Sequence, residues 1–260
     1  MLIAYDHVEA RLLPLPSGTD LKRAMWIDLF NGSADEVAQV NALGFEVPTL
    51  EEMEEIEVSN RLYHEGDADY LTMVLPGQTA AGEQAMSPVC FILTADHVVT
   101  VRHHTPRPFE TYPPRAGKSS LGCTTPDRIF LGLVEEVIGR LADHLEIAGK
   151  GLDQVARTIY QPEQRGHRPD DLKGALASLG AEGERLSRVR LALLTLGRAL
   201  NYVDQLLGHR LSGEGLGTVL KGQLRDIDAL EVHADFLSSR LGLASDATLG
   251  TINLSQNATV

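Results

Sequence analysis

Carboxylates are the side chains of this sequence best placed to do chemistry. Asp228, Glu231 and Asp235 stand at i, i+3 and i+7, which puts them on one side of a helix. Like charges so placed repel one another unless a cation or the nearby Arg225 compensates. They are either oxygen donors for a hard cation or a solvated helix face. Glu51-Glu52-Met53-Glu54-Glu55-Ile56-Glu57 holds five carboxylates in seven residues. It too could attract cations, but the dipole at a helix start favours acidic residues, and that is the better reading of the run. His103 and His104 suggest a transition metal at first sight. Adjacent strand residues point to opposite faces, so the two do not share one. No HExxH, P-loop, GxGxxG or GxSxG pattern occurs, so the chain is read as a non-enzyme.

The elements that must carry these groups change character near residue 125. Up to there, short β-branched and aromatic runs recur between turn signals. Ala24–Leu29 and Tyr70–Leu75 are two, the latter expected to stop at Pro76-Gly77. Val89–Leu93 and Val98–Val101 flank Thr94-Ala95-Asp96-His97, a hairpin turn. Ser33 with Glu36, and Thr49 with Glu52, form capping-box patterns at two helix starts. Strands mixed with short helices predict a sheet with helical cover.

From Thr125 the pattern is helical. Thr125 suits an N-cap and Pro126 the first helical position. Apolar residues at 130, 134, 137, 141, 145, 148, 152, 155 and 159 mark one helical face, and Pro162 and Gly166 are expected to end it. A second helix starts near Pro169-Asp170-Asp171, with a stripe from Leu172 through Leu176, Leu179, Gly183, Leu186, Val189, Leu193, Leu196, Leu200 and Val203 to Leu207. Gly208 and Ser212-Gly213-Glu214-Gly215 are expected to break it. A third begins near Leu216 and meets no stop signal before Val260, a span of roughly 65–70 Å. Its abrupt end at Asn257-Ala258-Thr259-Val260 is read as a boundary inside a continuing helix. The fold class expected is α+β: an N-terminal α/β sheet domain with helical cover over 1–124, a long helical hairpin over 125–211, and a last helix over 212–260.

Composition bounds the function. The 260 residues are 43% hydrophobic and 23% charged, the mix of a globular protein. Few aromatics imply a core of Leu, Val, Ile and Ala. A net charge of −13 argues against a nucleic-acid partner, which needs a basic face. Cys90 and Cys123 form no CxxC and suggest no disulfide framework. The start, Met1-Leu2-Ile3-Ala4-Tyr5-Asp6, lacks the basic and apolar regions of a signal peptide, and no window approaches 18 consecutive apolar residues.

Several stretches, in order, resemble the CorA family of magnesium and cobalt transporters, above all its proteobacterial branch. Ala24-Met25-Trp26-Ile27-Asp28-Leu29 is similar to the family's WIDL strand. Pro48 to Glu57 followed by Ser59-Asn60-Arg61 resembles its P-x-x-x-E-D-I-E-x-x-x-R segment. Leu224-Arg225-Asp226-Ile227 resembles an L-R-D-I/V segment, and Leu249 to Asn257 resembles the end of the stalk helix where it enters the membrane. The diagnostic Gly-Met-Asn motif follows the first membrane helix and is not reached in this chain. Related zinc transporters share the architecture, so the cation stays open among Mg2+, Co2+, Ni2+ and Zn2+.

The resemblance implies a homopentamer on the cytoplasmic face of the inner membrane, anchored through C-terminal helices beyond this chain, with no organic cofactor. The last helix would line a central funnel. Asp246 matches an acidic position near the cytosolic mouth of the pore, and Asn257 an amide near the membrane face. Asp226 matches a stalk residue of an intersubunit regulatory cation site, with Asp228 nearby; Glu83, in the loop after Gly77, is the candidate partner from a neighbouring subunit. Bound Mg2+ would neutralise acidic interfaces and hold the pore closed. Rings of oxygen ligands suit Mg2+, which sheds its water reluctantly. The competing readings are a free-standing coiled-coil scaffold and a carboxylate-metal enzyme. The second lacks any convergent pocket motif.

Overall fold

The computed structural model describes residues 1–9, 11–119, 121–160, 169–212 and 215–257, with side chains left out at 160, 169–170, 206–212 and 255–257. Seven strands form one sheet in the order β2-β1-β3-β7-β6-β5-β4. They are β1 (Leu2–Val8), β2 (Arg11–Pro14), β3 (Trp26–Phe30), β4 (Leu62–Glu65), β5 (Ala68–Gln78), β6 (Gln84–Leu93) and β7 (Val98–Arg102). Only β3 and β7 pair in parallel; the other neighbours are antiparallel. The expected hairpin joins β6 to β7. The Thr94 amide donates to the His97 carbonyl, and the His97 amide to Thr94 Oγ1.

Of four short helices, α1 (Ala34–Asn41), α2 (Leu50–Glu54) and α3 (Val58–Arg61) lie between β3 and β4, and α4 (Pro108–Arg115) follows β7. Both expected capping boxes are closed, Ser33 with Glu36 and Thr49 with Glu52. Those bonds to backbone N–H groups hold both carboxyls below their usual range. Three long helices complete the chain: α5 (Pro126–Tyr160), α6 (Pro169–Ser212) and α7 (Leu216–Asn257). Thr125 caps α5 as expected, its hydroxyl accepting from the Arg128 amide at 3.3 Å.

Two expected stops are overturned. β5 runs through Pro76-Gly77 to Gln78, pairing Pro76 with Met86 and Gly77 with Ala85. The Val74 amide donates to Thr195 Oγ1 and the Gln78 amide to the Thr105 carbonyl, both away from β6. Pro76 has the same parity, so its missing N–H removes no bond to β6. Likewise α6 passes through Gly208 and reaches Ser212; one helical glycine costs about 1 kcal/mol, which a helix of 44 residues absorbs. Pro162 and Gly166 lie outside the described residues.

By packing, the chain divides into two units. The first comprises Met1–Arg140 and Leu194–Asp226. One sheet face there buries Ile27, Tyr70, Ile92 and Val99 together with Val40 of α1 and Met53 of α2. The other buries Trp26 and Phe91 against Phe109 and Tyr112 of α4 and Phe130 of α5. The second unit comprises Leu141–Leu193 and Ile227–Val260. Here the three long helices pack up, down and up. Gly149 of α5 approaches Leu237, and Gly183 of α6 approaches Leu241. Arg240 donates to Asp153, and Arg190 pairs with Asp235 at 3.0 Å. All nine stripe positions expected for α5 are buried. On α6, Leu176 and Gly183 are half-buried and the Leu207 side chain lies outside the described residues.

Candidate functional site on the last helix

α7 is one unbroken helix of 42 residues, and it carries four of the five candidate site residues. Its buried stripe is narrow: Leu220, Gln223, Ile227, Ala234, Leu237, Ala244 and Thr248. Those steps of three, four and seven keep one line of side chains inward. Gln223 fixes the helix to its neighbour, its amide donating to the Leu131 carbonyl of α5 at 2.8 Å.

Asp226 and Asp228 are both exposed. At about 100° per residue they project about 200° apart, one on each side of Ile227. They do not converge on one point within a single chain. Asp228, Glu231 and Asp235 share a flank, as their spacing requires. Asp235 is paired with Arg190, whereas among the described residues Asp226, Asp228 and Glu231 have no ion-pair partner. Glu83 sits in the β5–β6 turn. There the Thr79 amide donates to the Glu83 carbonyl at 2.8 Å, Gly82 takes φ +80°, and the Glu83 carboxylate faces solvent. Among the described residues, no group of three or more His, Cys, Asp or Glu gathers as a ligand set.

Asp246 is exposed and lies about 180° from the local buried stripe of Ala244 and Thr248. Asn257 is the last residue of α7; its side chain lies outside the described residues. The face around Asp246 holds a feature that the sequence reading missed. Val232, Phe236, Leu243 and Leu254 are 71%, 57%, 69% and 73% exposed. With Ser239, Asp246 and Gly250 they follow the helical period opposite the buried stripe. A count of apolar positions on both faces of this helix would have found it. His103 and His104 do separate, although both lie in a bend past the end of β7 and not on a strand: His103 meets Asn31 Oδ1, and the buried His104 bonds the Leu75 carbonyl through Nε2.

Residues 22–260 match the family described as CorA-like Mg2+ transporter protein. The magnesium transport protein CorA of Escherichia coli is 31% identical over 99% of this chain and 80% of its own length. That of Salmonella typhimurium is 30% identical over the same shares. The chain belongs to the CorA-like family of Mg2+ transporters. Solved structures share its fold. CorA magnesium transporter from Methanocaldococcus jannaschii superposes with a TM-score of 0.73 at 14% identity, covering 99% of this chain and 79% of that one. The ZntB cytoplasmic domain from Vibrio parahaemolyticus gives 0.70 at 11%, covering 96% and 97%. Among the described residues no helix is long and apolar enough to cross a membrane.

Proposed function

We propose that this chain forms the cytoplasmic regulatory and funnel portion of a transporter that passes Mg2+ and Co2+ across the inner membrane. The two-faced α7 carries the reading. One face is spent on the chain's own core, and the opposite face presents Val232, Phe236, Leu243 and Leu254 with Asp246 among them. Exposed apolar residues in a helical line need a partner surface. Copies of α7 arranged around a five-fold axis supply it, and Asp246 becomes a ring of carboxylates facing hydrated cation. Asn257 adds an amide ring further along.

Regulation sits higher on the same helix. Asp226 and Asp228 leave opposite flanks, so each meets a different neighbour in such a ring. Glu83 of an adjacent copy is the candidate third carboxylate. Mg2+ bridging these groups offsets their repulsion and holds the assembly closed; when cation is scarce the repulsion loosens it. The donors are oxygens, which suits hard cations better than zinc. The relatives named for magnesium transport support the same choice of ion.

A Mg2+ titration followed by Tm and light scattering tests the sensor. Millimolar-range Mg2+ is expected to raise both Tm and oligomer size, and Asp226→Ala to remove most of that response. A chain indifferent to Mg2+, with Asp226→Ala behaving as wild type, leaves a scaffold reading in its place.

A further inference from the structure

The connection from β7 to α4 crosses the Gln78 end of β5, and the crossing is possible because residue 77 is glycine. A methyl group there would meet His104 Cδ2 at 2.6 Å and the backbone of Thr105 and Pro106 at 2.7 Å. Three sets of bonds hold the crossing down. His104 Nε2 meets the Leu75 carbonyl at 2.8 Å. Thr105 and Gln78 exchange a pair of backbone bonds. Arg102 Nη1 donates to the His104 carbonyl at 2.9 Å and to Thr105 Oγ1 at 3.3 Å.

A carbonyl can only accept, so Nε2 carries the proton of the neutral His104 ring and Nδ1 is bare. His104 is 1% exposed, and its Nδ1 is buried with no hydrogen-bond partner among the described residues. The groups around it do not favour a second proton. β5 brings Leu75, Gly77 and Gln78, none of them charged. β7 brings Arg102, whose guanidinium opposes protonation, and the Asp28 carboxylate is turned to that guanidinium. His103 opposes it too, and Glu110 of α4 is paired with Arg107. A protonated His104 in this place is both a charge and an N–H donor sealed in without an acceptor, and each is costly.

We infer that this connection is a proton-operated clasp, closed over β5 while His104 is neutral and released when the ring takes a second proton in water. Release frees the amides of Gln78 and Thr105 and uncovers Gly77, while β6 and β7 stay paired. In the open form the ring has the ordinary pKa of about 6.5; in the closed form it binds that proton more weakly, so acid favours opening. Between about pH 7.5 and pH 5.5 the opening constant rises about tenfold. The clasp anchors the strand end that leads into the turn bearing Glu83. On the cation reading proposed above, and resting on it, acid thereby loosens the candidate third carboxylate.

Amide hydrogen exchange of the 260-residue chain, read by NMR at about pH 7.5 and pH 5.5 and corrected for the intrinsic rate, tests the clasp. No Mg2+ is added, so the result stands apart from the cation reading. Gln78 and Thr105 are expected to open more readily than Ile92 and Val99, which pair with each other inside the sheet. Their opening constant should rise about tenfold in acid. His104→Gln keeps a donor for the Leu75 carbonyl and should abolish the rise, whereas His103→Gln should retain it. Ring 15N shifts of the wild-type chain, which need no variant, should place the His104 proton on Nε2 at about pH 7.5. One shared opening constant for Gln78, Thr105, Ile92 and Val99 would mean that only global unfolding releases His104, and would overturn the clasp. An opening constant indifferent to pH, a rise that survives His104→Gln, or a neutral ring protonated on Nδ1 would overturn it equally.

Discussion

The carboxylate of Asp28 on β3 and the guanidinium of Arg102 on β7 form a buried two-pronged pair, Nη2 to Oδ2 at 2.8 Å and Nε to Oδ1 at 2.9 Å. Thr100 adds a bond to Asp28 and accepts one from the Trp26 indole, while Arg102 lies over the rings of Phe30 and Phe109. Removing one partner strands the other charge in the core. Arg102→Met is expected to lower unfolding free energy by about 3–5 kcal/mol. The double variant Asp28→Leu with Arg102→Met should recover much of that loss. Urea denaturation of both decides it: a double variant worse than the single one sinks the account.

The hydroxyl end of the Tyr112 ring of α4 packs against α5 at Gly132. A methyl group at 132 would come within 2.5 Å of the Tyr112 hydroxyl oxygen. Gly132→Ala is therefore expected to destabilise by about 1–3 kcal/mol, although alanine is the better helix former. Combining it with Tyr112→Leu should relieve the overlap. Thermal unfolding of the two variants reads this directly, and a neutral or stabilising Gly132→Ala contradicts it.

The first unit should lose stability in mild acid. Burial, the main cause in both cases, holds the His104 and His103 pKa values below the ordinary one. His104 is also discouraged from protonating by the charge of Arg102. The unfolded chain then binds protons more readily than the fold. Stability is full above the unfolded value of about 6.5 and falls as pH drops through it toward the depressed folded values. His104→Gln keeps a donor for the Leu75 carbonyl and removes the titration. Its Tm should change less than that of wild type between about pH 7.5 and pH 5.5. An unchanged slope would refute the assignment.

The exposed line on α7 makes a separate prediction about assembly. Leu243→Glu places charge beside Asp246 on a face the chain's own core does not use. Sedimentation should show a smaller assembly at equal concentration, with secondary structure intact. Loss of fold instead of loss of association would place Leu243 in the core.

Much of this was legible before any coordinates. The nine-position stripe of α5 is long enough that a 3.6-residue period stands out, and every one of its positions is buried. Capping boxes are local, so Ser33 and Thr49 announce two helices by themselves. β1 and β2 escaped notice because Asp6, His7 and Arg11 interrupt alternation on strands near the sheet edge. The register of β1 with β3, such as Tyr5 opposite Trp26, depends on residues far apart in the chain. α4 was hidden by Pro113 and Pro114, which read as breakers yet lie inside it. The site was only half visible. Spacing places Asp228, Glu231 and Asp235 on one flank, but which faces stay open depends on how α5 and α6 cover α7.

β5 is the longest strand of the sheet, and β4 accompanies it only over Ala68–Leu71. Beyond that point the outer backbone groups of Val74 and Gln78 are taken by other means. Thr195 uses one hydroxyl to receive the Val74 amide and donate to the Val74 carbonyl, and Thr105 exchanges two bonds with Gln78. A bare margin of that length would be a template on which a second chain could grow a strand. A single threonine on a helix and one irregular residue thus guard the protein against fibrous self-association, a hazard that rises with the crowding of many copies in one small area.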